Sequence, residues 1–74
     1  MRVIAKSLAG HDKDSIYLVI DEADGMVFLC DGVRRKLSNP KKKKLRHVQL
    51  TKKAFEGNLS DEAIREFLRA YGGV

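Results

Sequence analysis

The segment from Arg34 to Lys53 carries ten basic side chains and no Asp or Glu. They are Arg34, Arg35, Lys36, Lys41, Lys42, Lys43, Lys44, Arg46, Lys52 and Lys53. The chemistry open to such a stretch is the neutralisation of phosphate. Each phosphate contacted releases condensed counterions, so binding is driven without any base being read. The rest of the chain holds five cations and all ten acids, a charge of −5 against +10, which returns the net +5. A mildly acidic scaffold with a basic strip focuses positive potential, where scattered charge would only solvate a surface. Taken alone, Lys41 to Lys44 reads equally well as a solubilising loop tip. The absence of acids over the whole segment favours a polyanion site.

Other chemistry is poorly supplied. Cys30, His11 and His47 are widely spaced and form no metal-ligand pattern. Asp21, Glu22 and Asp24 lack the ligand spacing and final Glu of a calcium loop, and read as a solvated hairpin. No glycine-rich phosphate loop is present. The expectation is a protein that is not an enzyme, with no metal, no cofactor and no small-molecule substrate. A single cysteine excludes an internal disulfide and suits a reducing compartment. Met1 leads into Arg2 and Lys6 without an apolar run. Nothing approaches the ~20 apolar residues that span a bilayer. A cytoplasmic protein with no membrane partner is expected.

The elements that must position the cations are short. With 74 residues the chain makes one domain at most. Arg2 to Ala9 reads as a first strand, and Gly10-His11-Asp12-Lys13-Asp14 as a turn. Ser15 to Ile20 and Met26 to Cys30 are apolar runs suited to strands buried on both faces. Asp21 to Gly25 is the polar connection between them. Asp31-Gly32 carries the type I′ hairpin signal and predicts a fourth strand over Val33 to Leu37, ended by Pro40. Val33, Arg35 and Leu37 would share one face of it, the Arg35 stem covering the barrel rim. A flexible basic loop over 38–44 follows, then an alternating fifth strand over Leu45 to Leu50.

The period then changes. Ser60 is an N-cap, Asp61 and Glu62 suit the positive end of the helix dipole, and Leu59 with Ile64 forms a staple. Ala63, Ile64, Phe67, Leu68 and Tyr71 make one stripe, stopped by Gly72 and Gly73. This predicts a helix over Asp61 to Tyr71. The fold class expected is mainly β: a small SH3-like antiparallel barrel of about five strands over 1–56 with a C-terminal helical segment over 57–74. Phe28, Phe67 and Tyr17 read as core, which leaves few rings for stacking on bases.

Val3 to Ile20 resembles a KOW motif: a strand, Ala9-Gly10, a polar loop containing Asp12-Lys13, then an aliphatic strand. The continuation Asp31-Gly32-Val33-Arg34-Arg35 and Asn39-Pro40-Lys41-Lys42-Lys43 is similar to the small bacterial KOW proteins of the ribosomal protein L14e/L6e/L27e family. The resemblance covers about residues 1 to 50. It implies an SH3-like barrel that binds RNA, most naturally large-subunit ribosomal RNA, as part of the ribosome or associated with it, with ribosomal proteins as further partners. It also implies RNA contact at Gly10 and Lys13. One position departs: Asp14 stands where the family usually has Gly after the loop lysine. Asp is one of the few other residues that accept a left-handed backbone.

The RNA contacts expected are therefore Gly10, Lys13, Arg34, Arg35, Lys36, Lys41 to Lys44, Arg46, His47, Lys52 and Lys53. The lysines would meet phosphates as point charges, and the arginines could fork onto phosphate or stack on a base. A DNA-binding or transcription-associated KOW module and an SH3-like protein-interaction domain are the alternatives.

Overall fold

The computed structural model describes residues 2–71. Five strands form one antiparallel sheet: β1 (Val3–Ser7), β2 (Ile16–Ala23), β3 (Met26–Cys30), β4 (Lys41–Lys44) and β5 (Val48–Ala54), in the order β4-β3-β2-β1-β5. Helix α1 (Asp61–Tyr71) follows. The sheet coils into a small SH3-like barrel whose ends, β4 and β5, are not joined by a ladder.

The continuous apolar run of β2 reflects burial on both faces. Tyr17 and Val19 point inward, onto Ala5, Val27, Leu29 and Val48. Leu18 points the other way and packs with Ile4, Cys30, Ile64 and Leu68, with Ile16 and Ile20 at the margin. One cluster fills the barrel and the other glues the helix to its outside. Register shifts between Val19 and Asp21 and between Val3 and Ala5 bend these strands, as bulges do where a sheet must curl.

The two Asp-Gly pairs behave differently. Asp24 (φ 54°) and Gly25 (φ 77°) make the two-residue turn joining Ala23 to Met26, the positive-φ pair of a type I′ hairpin. Asp31-Gly32 makes no hairpin. The Asp31 carboxylate accepts from the N–H groups of Val33 and Arg35, both at 2.9 Å, and this local capture competes with strand pairing. The expected strand over Val33 to Leu37 is consequently absent. Val33 is 56% exposed, while Leu37 packs at the helix-side core and its N–H donates to Asp61 Oδ1 at 2.8 Å. The basic loop expected over 38–44 is also corrected: Lys41–Lys44 is the fourth strand. Leu45–His47 is a 3-10 turn, so the fifth strand begins only at Val48.

The helix starts as its sequence predicts. Ser60 Oγ accepts from the Ala63 N–H at 3.0 Å, and Leu59 and Ile64 meet in the same cluster. Phe55 and Phe67 pack edge-on with centroids 5.1 Å apart. The stop expected at Gly72 and Gly73 lies outside the described residues.

Gly32 (φ +79°) is where the 31–37 segment crosses the helix start. A Cβ there would collide with the Asp61 carbonyl and lie 2.9 Å from the Arg65 nitrogen. Gly25 has a similar φ, but a Cβ there meets open space. Gly32→Ala should therefore cost about 2 kcal/mol or more, from left-handed strain plus displacement of the helix. Gly25→Ala should cost only about 1 kcal/mol. Urea midpoints measure both, and equal losses would defeat the helix-contact explanation.

Candidate nucleic-acid interface

The basic strip sorts itself by strand geometry. In register, Lys41 faces Leu29, Lys42 Phe28, Lys43 Val27 and Lys44 Met26. Directly opposed residues share a face, and Val27 and Leu29 belong to the barrel interior. Lys41 and Lys43 therefore lean over the open end of the barrel, while Lys42 and Lys44 stand outside, exposed to solvent.

What receives the inward pair is Asp12. Its Oδ1 accepts from Lys43 Nζ at 3.0 Å and from Ser7 Oγ at 2.9 Å. Its Oδ2 accepts from Tyr17 Oη at 2.8 Å and faces Lys41 Nζ at 3.3 Å. Lys43 also donates to the Ala9 carbonyl at 2.9 Å. The Asp12 side chain is only 15% exposed. Burial pushes its carboxyl pKa up, but the hydrogen bonds from Lys43, Tyr17, Ser7 and Lys41 outweigh that and hold it well below the usual carboxylate range. Burial, and then the bond to Asp12, push the Tyr17 hydroxyl up to about 12, so it remains a donor.

The other expected contacts are spread around this hub. Gly10 and Lys13 lie on the exposed β1–β2 turn, where the Lys13 N–H donates to the Gly10 carbonyl at 3.2 Å. Asp14 does adopt the left-handed conformation, with φ 75°, and its carboxylate lies 3.6 Å from Lys6 Nζ. Arg34 is exposed and Arg35 half-buried. They share a cleft of about 600 Å³ with His11, Asp12, Tyr17 and Lys41. Both come from a turn, not from a strand as expected. Arg46 and His47 lie in the 3-10 turn, with Arg46 exposed and His47 half-buried. The His47 carbonyl accepts from the Leu8 N–H at 2.8 Å. Lys36, Lys52 and Lys53 are exposed, the last two on β5 at the opposite edge of the sheet from β4.

Two participants were missed by reading along the chain. Asp12 looked like one more turn acid, because its partners Lys41 and Lys43 are remote in sequence. Phe28, expected in the core, is half-buried and packs in neither hydrophobic cluster. Lys42 Nζ lies 6.0 Å from its ring centroid. The alternation of Val27 and Leu29 around it was the available signal. Cys30 is buried in the helix-side cluster. Its thiol is pushed up to about 11 by burial and by the charges of Asp61 and Asp31, as suits an inert core thiol.

Among the described residues no group of three or more His, Cys, Asp or Glu is placed to hold a metal. No helix among them is long and apolar enough to cross a membrane. The chain matches no protein-family model and no curated protein sequence.

Asp12 ties stability to pH. Its folded-state pKa lies below the ordinary value of 3.8, so the native state binds fewer protons than the unfolded chain at acid pH. That stabilisation is complete above the unfolded pKa and is lost as pH falls through about 4 toward the depressed folded value. Asp12→Asn should lose about 2 kcal/mol at neutral pH, because Lys41 and Lys43 lose their acceptor. It should also show a shallower decline of stability between about pH 5 and pH 2. Urea titrations of parent and variant across that range test this. A variant with the parent's acid sensitivity would show that other carboxylates carry it.

Proposed function

We propose that this domain binds RNA, with large-subunit ribosomal RNA as its natural partner, through backbone and shape contacts from the exposed part of the basic strip. One observation carries the reading. Among the described residues, Arg34, Arg35, Lys36, Lys42, Lys44, Arg46, Lys52 and Lys53 have no carboxylate within ion-pair distance, while Lys41 and Lys43 are both held by Asp12. Unpaired cations on a rigid scaffold keep their counterions until a polyanion displaces them.

The choice of RNA over another polyanion rests on the KOW-like first turn. The left-handed Asp14 supports it, since the turn keeps the backbone form that the family's glycine supplies. Lys6 beside Asp14 partly offsets the carboxylate in the path of an RNA backbone. Arg34 and Arg35 flank one cleft and so supply planar, forked donors at the edge of the strip. Association with the ribosome belongs to the same proposal. The endogenous protein should sediment with the large subunit at low salt and leave it in a high-salt wash, and a purely soluble pool would defeat the ribosomal part.

The strand alternation makes the binding test specific. Replacing Lys42 and Lys44 together by Gln should weaken binding to A-form RNA with little change in stability. It should also reduce the slope of log affinity against log salt by about 0.7–0.9 for each lysine that meets a phosphate. Lys43→Gln should act in the opposite sense, lowering the urea midpoint while leaving the salt slope near that of the parent. Duplex DNA and an acidic peptide, offered in competition at moderate salt, must bind more weakly than RNA. Equal binding of DNA would move the reading to a general nucleic-acid module.

A further inference from the structure

The outer face of β3 and β4 presents a feature that charge alone does not require. Phe28 sits mid-strand on this face, opposed by Lys42 on one side and Asp21 on the other. It packs in neither hydrophobic cluster. Three other rings are used within the fold: Tyr17 is buried in the barrel, and Phe55 and Phe67 pack edge to face against the helix-side core. Phe28 is thus a half-buried ring outside both cores, held on a strand, with Lys42 and Lys44 along one side.

We infer that Phe28 is a stacking platform for one unpaired nucleobase of single-stranded RNA, with the adjoining phosphates on Lys42 and Lys44. The proposal rests on the RNA reading and goes beyond it, because backbone and shape recognition needs no ring. Four observations carry it. The charge is asymmetric: cations line the β4 side, and the carboxylate of Asp21 lies on the β2 side. A strand of phosphates is therefore steered along β4 and away from Asp21. The ammonium of Lys42 lies 6.0 Å from the ring centroid, the outer limit of a cation–π contact, so it can move to a phosphate and uncover the ring at little cost. The ring also sits on a strand that is hydrogen-bonded on both sides, to β2 and to β4, so little conformational freedom is lost when a base covers it. Asp21 Oδ1 accepts from the Glu22 N–H at 2.8 Å, which leaves the other oxygen to accept from a base amino group.

The test uses the whole chain and two substitutions. The protein has no Trp, so Phe28→Trp installs a single reporter at the site. A single-stranded oligoribonucleotide of about ten nucleotides should quench its fluorescence, and inorganic polyphosphate should not. Phe28→Leu keeps apolar bulk but removes the π-face. It should weaken binding of the oligoribonucleotide roughly 5- to 150-fold, leaving the salt slope and polyphosphate affinity unchanged. Thermal melts should show both variants folded at the assay temperature, with at most a small loss for Phe28→Leu, since the ring is half-buried but lies outside both cores. Loss of polyphosphate and RNA binding in parallel, or no loss of either, would overturn the stacking role while leaving RNA binding in place. Failure of the parent to bind any RNA would overturn both.

Discussion

Asp12 is the group on which the arrangement of this surface depends. A five-stranded sheet of this length coils into a barrel but leaves its last strands, β4 and β5, without a shared ladder. Both strands are instead tied to the β1–β2 side of the barrel by single contacts. Leu8 donates to the His47 carbonyl, and Lys43 reaches the Ala9 carbonyl and Asp12. Through Asp12, the end of β1 (Ser7), the start of β2 (Tyr17) and the edge strand β4 (Lys41, Lys43) meet at one carboxylate. A carboxylate with so little exposure would be costly if unpaired. Here both oxygens are used, and the ionised form is the one the site favours.

That interaction decides what the lysine run means. Four identical residues in a row carry no period, and by sequence they are a loop or a charge cluster. Once Asp12 draws in Lys41 and Lys43, the pleat of the strand sends Lys42 and Lys44 outward. The outward pair is then opposite Phe28 and Met26, and a ring that reads as core becomes part of the surface. The same set of contacts stabilises the barrel and selects which of its charges reach solvent.

Much of the fold was legible because local signals agreed with each other. The cap at Ser60, the staple of Leu59 with Ile64 and the stripe through Phe67 and Leu68 placed the helix. The double-faced apolar run of β2 announced a strand buried on both sides. The tolerance of Asp for positive φ allowed the first turn to close at Asp14. What failed was set by side-chain capture of the backbone and by contacts remote in sequence. Asp31-Gly32 has the composition of a hairpin turn, yet the Asp31 side chain caps its own following residues and Gly32 lies against the helix start. The strand expected after it was displaced into the lysine run, where propensity argues against a strand and only the pairing with β3 supports one. For the candidate site, the identity of the basic residues was visible, but their division into buried and free was not. It is set by an acid about thirty residues earlier.

An edge strand rich in lysine has a second physical use, because charge on an unpaired edge discourages strand addition by another chain. That role accounts for charge at positions 42 and 44 and favours lysine for it, although a glutamate also guards an edge. Asp12 requires cations only at positions 41 and 43, since these alone contact it. On the outer face nothing within the fold demands that 42 and 44 be positive, or that Arg46 continue the series. An acid at 42 would leave the Asp12 contacts intact while removing the cation beside Phe28. The run of like charge from Lys42 through Lys44 to Arg46 is therefore longer than folding and edge protection require, and the proposed polyanion partner would account for it.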